Sequence, residues 1–297
     1  MADELMPPTL VIAPWGEVCC VMAPVRRITA ATACSHRRAA PRRIAMTWLQ
    51  DMKWPEVREY LREHDLILLP VGSTEQHGRH APLGTDTFIA SRLAEDAARR
   101  TLVICAPPLP FGWSPHHLAL PGTISIRAEV LQDVLVDAIR SLAVHGFATF
   151  VVVNGHRITN VPWMQLAAQR AQSDLNVSVV IFDPAYMAKE VAPTLDFGMV
   201  GHADELETSQ MLYLLPHLID LEQAIDSHDH GRPFNHIDPR APEDTLCYVP
   251  STLRQMQHLV EETGGSSGQP TRSRADLGQR LHEHLVSRLV AVIESLR

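Results

Sequence analysis

Short, uniformly apolar runs alternate along this chain with longer stretches of helical periodicity. That alternation restricts the fold more than any other feature. Leu66 to Val71, Leu102 to Ala106, Ala148 to Val153 and Val177 to Phe182 read as short buried strands. Between them, Thr87 to Arg100 carries Ile89, Leu93 and Ala97 near the 3.6-residue period. Arg127 to His145 carries Val130, Leu131, Val134, Leu135, Ile139 and Leu142 in the same way. Trp54 to His64, Val161 to Ser173 and Leu277 to Leu296 read as further helices. Strand, helix and strand in succession predict βαβ units, a mainly parallel sheet and the α/β class. A length of 297 residues with 45% apolar content suits one large domain with a sizeable core.

Chemistry-bearing residues cluster after these strands. Leu66 to Val71 leads into Gly-Ser-Thr-Glu75-Gln-His77-Gly and then Gly-Thr-Asp86, which places three metal-binding side chains within twelve residues. Glu75 and His77 are two apart, so extended backbone points both the same way. Asp86 follows a Gly- and Pro-containing loop and can fold back between them; its other reading is an N-cap for the next helix. A mixed carboxylate and imidazole set suits Zn, Mn or Fe(II). Phe150 to Val153 ends in Asn-Gly-His156, where open α/β sheets place ligands. Gly201 to Leu212 reads as a helix opened by His202, Glu205 and Glu207, whose acids could also serve only the helix dipole. Gly112 to Ile124 is a polar loop with Ser114, His116 and His117. No Gly-x-Ser-x-Gly elbow surrounds Ser114, so it reads as a binding residue rather than a nucleophile.

Taken in order, these motifs resemble the creatininase family of metal-dependent amide hydrolases over roughly Leu66 to Leu215. The resemblance implies a three-layer α/β/α sandwich and two divalent metal ions per subunit, sharing a bridging Asp. It places Asp86 at the bridge, Glu75 and His156 on one ion, His77 on the other and His202 at proton transfer. Ser114 falls on a substrate-side position, and His117 and Arg157 are grouped with it as substrate-binding candidates. Creatininase itself has Glu two residues after the third-motif His, where this chain has Ile158. Many relatives have Gly-Gly after that His and usually carry an acidic residue at the Glu205 position, so the resemblance implies Glu205 as the replacement ligand. Its three-residue spacing from His202 agrees weakly with a shared helix face. Glu207 is the alternative. Arg157-Ile158-Thr159 departs from the Gly-Gly of many relatives and brings a cation to the pocket. No Trp follows Trp163, so the substrate-covering tryptophans of creatininase are missing and creatinine is not the expected substrate.

The expected reaction is therefore hydrolysis of a small molecule's amide, cyclic amide or formamide bond by metal-activated water. Cleavage of another bond, such as carbon–carbon in a cyclic diketone or sugar derivative, stays open, as does a silent ligand-binding protein. A net charge of −8 argues against nucleic acid. No apolar run approaches the roughly 18 residues of a membrane span. Cys19, Cys20, Cys34, Cys105 and Cys247 show no metal or disulfide spacing, which favours a reducing, cytoplasmic setting. Residues 1–45 hold six Arg and no Lys. They read as a disordered arm, or as sequence upstream of a natural start at Met46, ahead of a transit peptide. Residues 46–297 form the expected single domain. Ser227 to Ser273 is Pro-, Gly- and His-rich with little periodicity and reads as a long excursion, of the kind that forms a functional lid, an interface or a disordered segment. Its apolar cluster of Leu246, Tyr248, Val249, Leu253 and Met256 could pack on its own domain or on a neighbour. The resemblance implies a homo-oligomer, a hexamer foremost.

Overall fold

The computed structural model describes residues 47–198, 200–227 and 251–297. The expectations for residues 1–45 and for Leu246, Tyr248 and Val249 lie outside them. Helix α1 (Trp54–Tyr60) precedes β1 (Leu66–Val71), α2 (Thr85–Thr101), β2 (Ile104–Cys105), α3 (Ala128–Ala143) and β3 (Thr149–Asn154). Then come α4 (Val161–Leu175), β4 (Ser178–Phe182), the short α5 (Pro184–Met187), α6 (Glu205–Leu214), α7 (Leu253–Thr263) and α8 (Ala275–Ser295).

The strands pair in the order β2-β1-β3-β4, all parallel. All six β1 residues are buried, because helices cover both faces. Leu66 and Leu68 join Val151 and Val153 against α2, α6 and α8. Ile67, Leu69 and Val71 join Phe150 and Val152 against α3 and α4. This is the three-layer α/β/α sandwich. Each fully buried Leu or Ile contributes about 1.5–3 kcal/mol, so the two cores fix the sheet on which the loops stand.

Local signals set the element ends. Pro162 opens α4, where its missing N–H costs nothing, and Asn176 ends it in the left-handed region at φ 52°. Leu102 takes φ 58° to end α2, which shortens the expected Leu102 to Ala106 strand to Ile104–Cys105. The Ser227 to Ser273 segment contains α7, a helix the weak periodicity concealed. Its signals were the Thr252 and Gln255 capping box and Gly264 at φ 72°. Met256 on α7 is buried within this chain, while Leu253 is exposed. No described helix is long and apolar enough to cross a membrane.

Helices α6 and α8 approach so closely that a Cβ at Gly278 would overlap the Ser209 carbonyl oxygen. Gly278→Ala is expected to destabilise the fold by about 1–3 kcal/mol through overpacking. An unchanged melting temperature would contradict this close contact.

β1 leads to β2 on one side of the sheet, and β3 leads to β4 on the other. The crevice between the carboxyl ends of β1 and β3 is therefore a topological switch point, where such sheets bind ligands.

Candidate metal centre

Register places Val71 beside Asn154, so the loops after β1 and β3 emerge side by side. A Cβ at Gly155 would overlap the Asp86 carbonyl oxygen, so the Asn-Gly-His turn needs glycine to bring α2 this close. Asp86 sits in the first turn of α2 behind Gly84, which stands at the N-cap. Its carboxylate therefore does not cap the helix. Its Oδ1 lies 3.2 Å from His77 Nε2 and its Oδ2 lies 3.1 Å from His156 Nδ1. Glu75 Oε1 lies 3.3 Å from His156 Nδ1.

Two triads result. Glu75, Asp86 and His156 offer donor atoms within 4.8 Å of one another, as do His77, Asp86 and Glu207. Asp86 belongs to both. Glu75 Oε1, His77 Nε2 and Asp86 Oδ2 are buried without a hydrogen-bond partner. Buried polar atoms are almost always satisfied, and a cation would satisfy all three. The donor set thus fits divalent ions of the Zn or Mn type.

Neighbours aim these donors. His77 Nδ1–H donates to the Glu75 carbonyl at 3.1 Å, which leaves Nε2 free for a cation. Ser114 Oγ–H donates to Glu75 Oε2 at 2.5 Å and lies 2.8 Å from Ser73 Oγ. The substrate-side expectation for Ser114 is corrected on this ground: the hydroxyl is fully buried and bonded to Glu75. Gln76 Nε2 donates to His117 Nδ1 at 2.8 Å, so His117 Nε2 carries the proton and faces Glu75 Oε1 at 3.2 Å. His202 Nε2–H donates to the Gln76 carbonyl at 2.6 Å, and Nδ1 lies 3.7 Å from Glu75 Oε1.

The expected ligand Glu205 is not here. Helix α6 starts at Glu205 with Asp204 as its N-cap, and Ala203 takes φ 51°. His202 therefore precedes the helix, and the shared-face argument does not apply. Glu205 Oε2 instead accepts from the Gly198 N–H at 2.6 Å. Glu207 Oε2 lies 3.9 Å from His77 Nε2, in the triad with His77 and Asp86. Glu207→Gln is expected to release a cation, whereas Glu205→Gln keeps the metal content unchanged. Metal analysis of both variants checks this, and the reverse pattern would restore Glu205.

Ile158 adopts φ 63°, a costly conformation for a β-branched residue, held by its N–H bond to Asp183 Oδ2 at 2.9 Å. Arg157 is among the residues lining the cavity, and its guanidinium is engaged by Glu207 at 2.7 Å and Asp204 at 3.4 Å. It is not a free anion receptor. Gln76 and Asp204 lie inside the motif segments and Asp183 follows β4 outside them, and sequence reasoning named none of the three as a site residue.

Burial would lower His77 and His156, yet negative neighbours prevail: Asp86 above all for His77, and Glu75 with Asp86 for His156. They raise His77 to about 10 and His156 to about 9. Both must lose their protons to bind a cation. Below those values, each fall in pH is expected to weaken binding, with proton release visible by calorimetry in buffers of different ionisation enthalpy. Binding without proton release would contradict it.

Beside the triads opens a cavity of about 260 Å³, with His116, Ile158, Thr159, Val200, Met256 and Ser267 among its walls. Burial lowers His116 to about 4, so it lines the cavity as a neutral ring.

Residues 50–293 match the creatininase family model, described as creatinine amidohydrolase. The chain is 35% identical over 201 residues to 3-dehydro-scyllo-inosose hydrolase of Thermotoga maritima. That alignment covers 64% of each protein, so the chain spans less than two thirds of this relative. It is 29% identical to creatinine amidohydrolase of Pseudomonas putida, over 72% of this chain and 88% of that one. It is 31% identical to a mycofactocin precursor peptide peptidase of Mycobacterium ulcerans, over 76% of this chain and 84% of that one. A crystal structure of creatininase matches with TM-score 0.68 and 25% identity, covering 84% of this chain and 97% of that one. A Zn-Zn type creatininase mutant matches with TM-score 0.66, 25% identity and coverage of 84% and 97%. A manganese creatininase matches with TM-score 0.65, 25% identity and coverage of 84% and 98%.

Proposed function

The chain belongs to the creatininase family of metal-dependent hydrolases, and we propose that it cleaves a carbon–nitrogen bond in a small molecule: an amide, cyclic amide or formamide. The observation that carries this reading is the pair of triads sharing Asp86 beside a cavity of about 260 Å³. Glu75, Asp86 and His156 would hold one divalent ion, and His77, Asp86 and Glu207 the other. Such ions supply Lewis-acid polarisation of a carbonyl and bring the pKa of water towards neutrality.

The chain's own residues do the rest. The bond from His202 Nε2–H to the Gln76 carbonyl fixes the tautomer that leaves Nδ1 unprotonated. Burial holds the ring well below the usual histidine range, so it stands neutral. Nδ1 can take a proton from water and return it to the departing nitrogen, a role worth about 10²–10⁴-fold. Ile158, Val200 and Met256 give the cavity apolar walls, while Thr159 and Ser267 offer hydroxyls. Glu207 supplies a carboxylate to the second triad, which counts against a silent binding protein.

A second reading, hydrolysis of a carbon–carbon bond in a cyclic diketone or sugar derivative, is favoured by the 35% identity to an inosose hydrolase. The metal-loaded protein should be assayed on small cyclic amides, formamides and dehydrogenated cyclitols. Amine or ammonia release supports the first reading. Ring opening of the diketone alone would replace it by the second. A homo-oligomer, a hexamer by resemblance, belongs to the same proposal; light scattering showing a fully active monomer would remove it.

A further inference from the structure

Arg157 directly follows a residue of the first triad, yet its side chain reaches the second. It is only 10% exposed. Nη2 lies 2.7 Å and Nε 3.0 Å from the same oxygen, Glu207 Oε1. Nη2 also reaches Asp204 Oδ2 at 3.4 Å and the Gly201 carbonyl at 3.2 Å. Both strong contacts thus fall on Oε1. Oε2 accepts the Ala203 N–H at 2.8 Å and keeps its remaining lone pair towards His77. Asp204 takes part from the other side: its Oδ1 accepts the Glu207 N–H at 2.8 Å, and its Oδ2 accepts the Gly201 N–H at 2.8 Å.

We infer that Arg157 is a positioning residue, which clamps Glu207 through Oε1 and presents Oε2 to the second cation. It compensates for the carboxylate missing at Ile158, and the inference rests on the reading of the two triads as a metal centre. Charge supports the sign. Glu207 and Asp204 are buried carboxylates side by side, and Arg157 is their common counter-ion. Removing it leaves two buried charges unpaired and frees the Glu207 side chain to rotate. Partners that orient a metal ligand are worth about 10–100-fold in affinity.

Manganese gives a readout independent of turnover. Two Mn²⁺ ions bridged by one carboxylate are spin-coupled, whereas a single ion shows the isolated six-line electron paramagnetic resonance spectrum. The unmodified chain is expected to bind two ions and show the coupled signal. Arg157→Met keeps the length and loses the charge; it is expected to bind the second ion at least about 10-fold more weakly and to show the single-ion spectrum. Arg157→Lys keeps the charge with one point of contact, and should fall between the two. Circular dichroism confirms that each variant is folded, and if Arg157→Met is not, the comparison of Arg157→Lys with the unmodified chain decides alone. A coupled two-ion signal of unchanged affinity in the folded variants would overturn the clamp. An unmodified chain that binds one ion or none would overturn the two-cation reading and this inference with it.

Discussion

Asp86→Ala is expected to empty both halves of the site and reduce hydrolysis to background. One carboxylate serves both triads: Oδ1 faces His77 at 3.2 Å and Oδ2 faces His156 at 3.1 Å. Glu75 also has donor atoms within 4.8 Å of each imidazole, but Asp86 faces each with a separate oxygen and shares a donor set with Glu207 as well. Losing a shared ligand should cost more than losing a residue that merely orients one, which is about 10–100-fold. Each ion should therefore weaken by more than about 100-fold. Elemental analysis after dialysis, alongside turnover, reads both effects. Two ions retained at full occupancy would mean that the bridge lies elsewhere.

His202→Ala should have the next largest effect, and a different signature. Metal content should stay at the unmodified level while turnover falls by about 10²-fold or more. The separation follows from geometry. His202 commits Nε2 to the Gln76 carbonyl and keeps Nδ1 at 3.7 Å from Glu75, so it borders the triads without completing them. Its donor atoms also lie within reach of Glu75 and His77 as a third set. Loss of an ion in the variant would therefore make His202 a ligand and end its role as proton carrier.

What could be read from the sequence divides along physical lines. β1 and β3 were legible because helices cover both faces of each, which forces an apolar run that no other local structure explains. The chemistry at their carboxyl ends was legible for the same reason, since short loops on neighbouring parallel strands cannot drift apart. The α6 region was not legible. Its reading assumed that helix begins at His202, but the left-handed Ala203 and the Asp204 cap delay it to Glu205 and turn Glu207 inward. Ser114 was placed on the substrate side by the resemblance and by the lack of a nucleophile elbow, neither of which reports burial. Arg157 looked free because its two acidic partners lie more than forty residues away in the chain. The helix α7 hid behind a weak apolar pattern, although its cap residues announced it.

The shared position of Asp86 reaches beyond catalysis. Its triads draw on the loop after β1, the first turn of α2, the turn after β3 and the start of α6. Ions bound there would act as cross-links between segments distant in sequence, closing long loops that conformational entropy otherwise opens. Because the unfolded chain offers no such arrangement, binding free energy becomes folding free energy. The amount of folded protein would then follow the free metal concentration around it, and metal supply would set the lifetime of this chain.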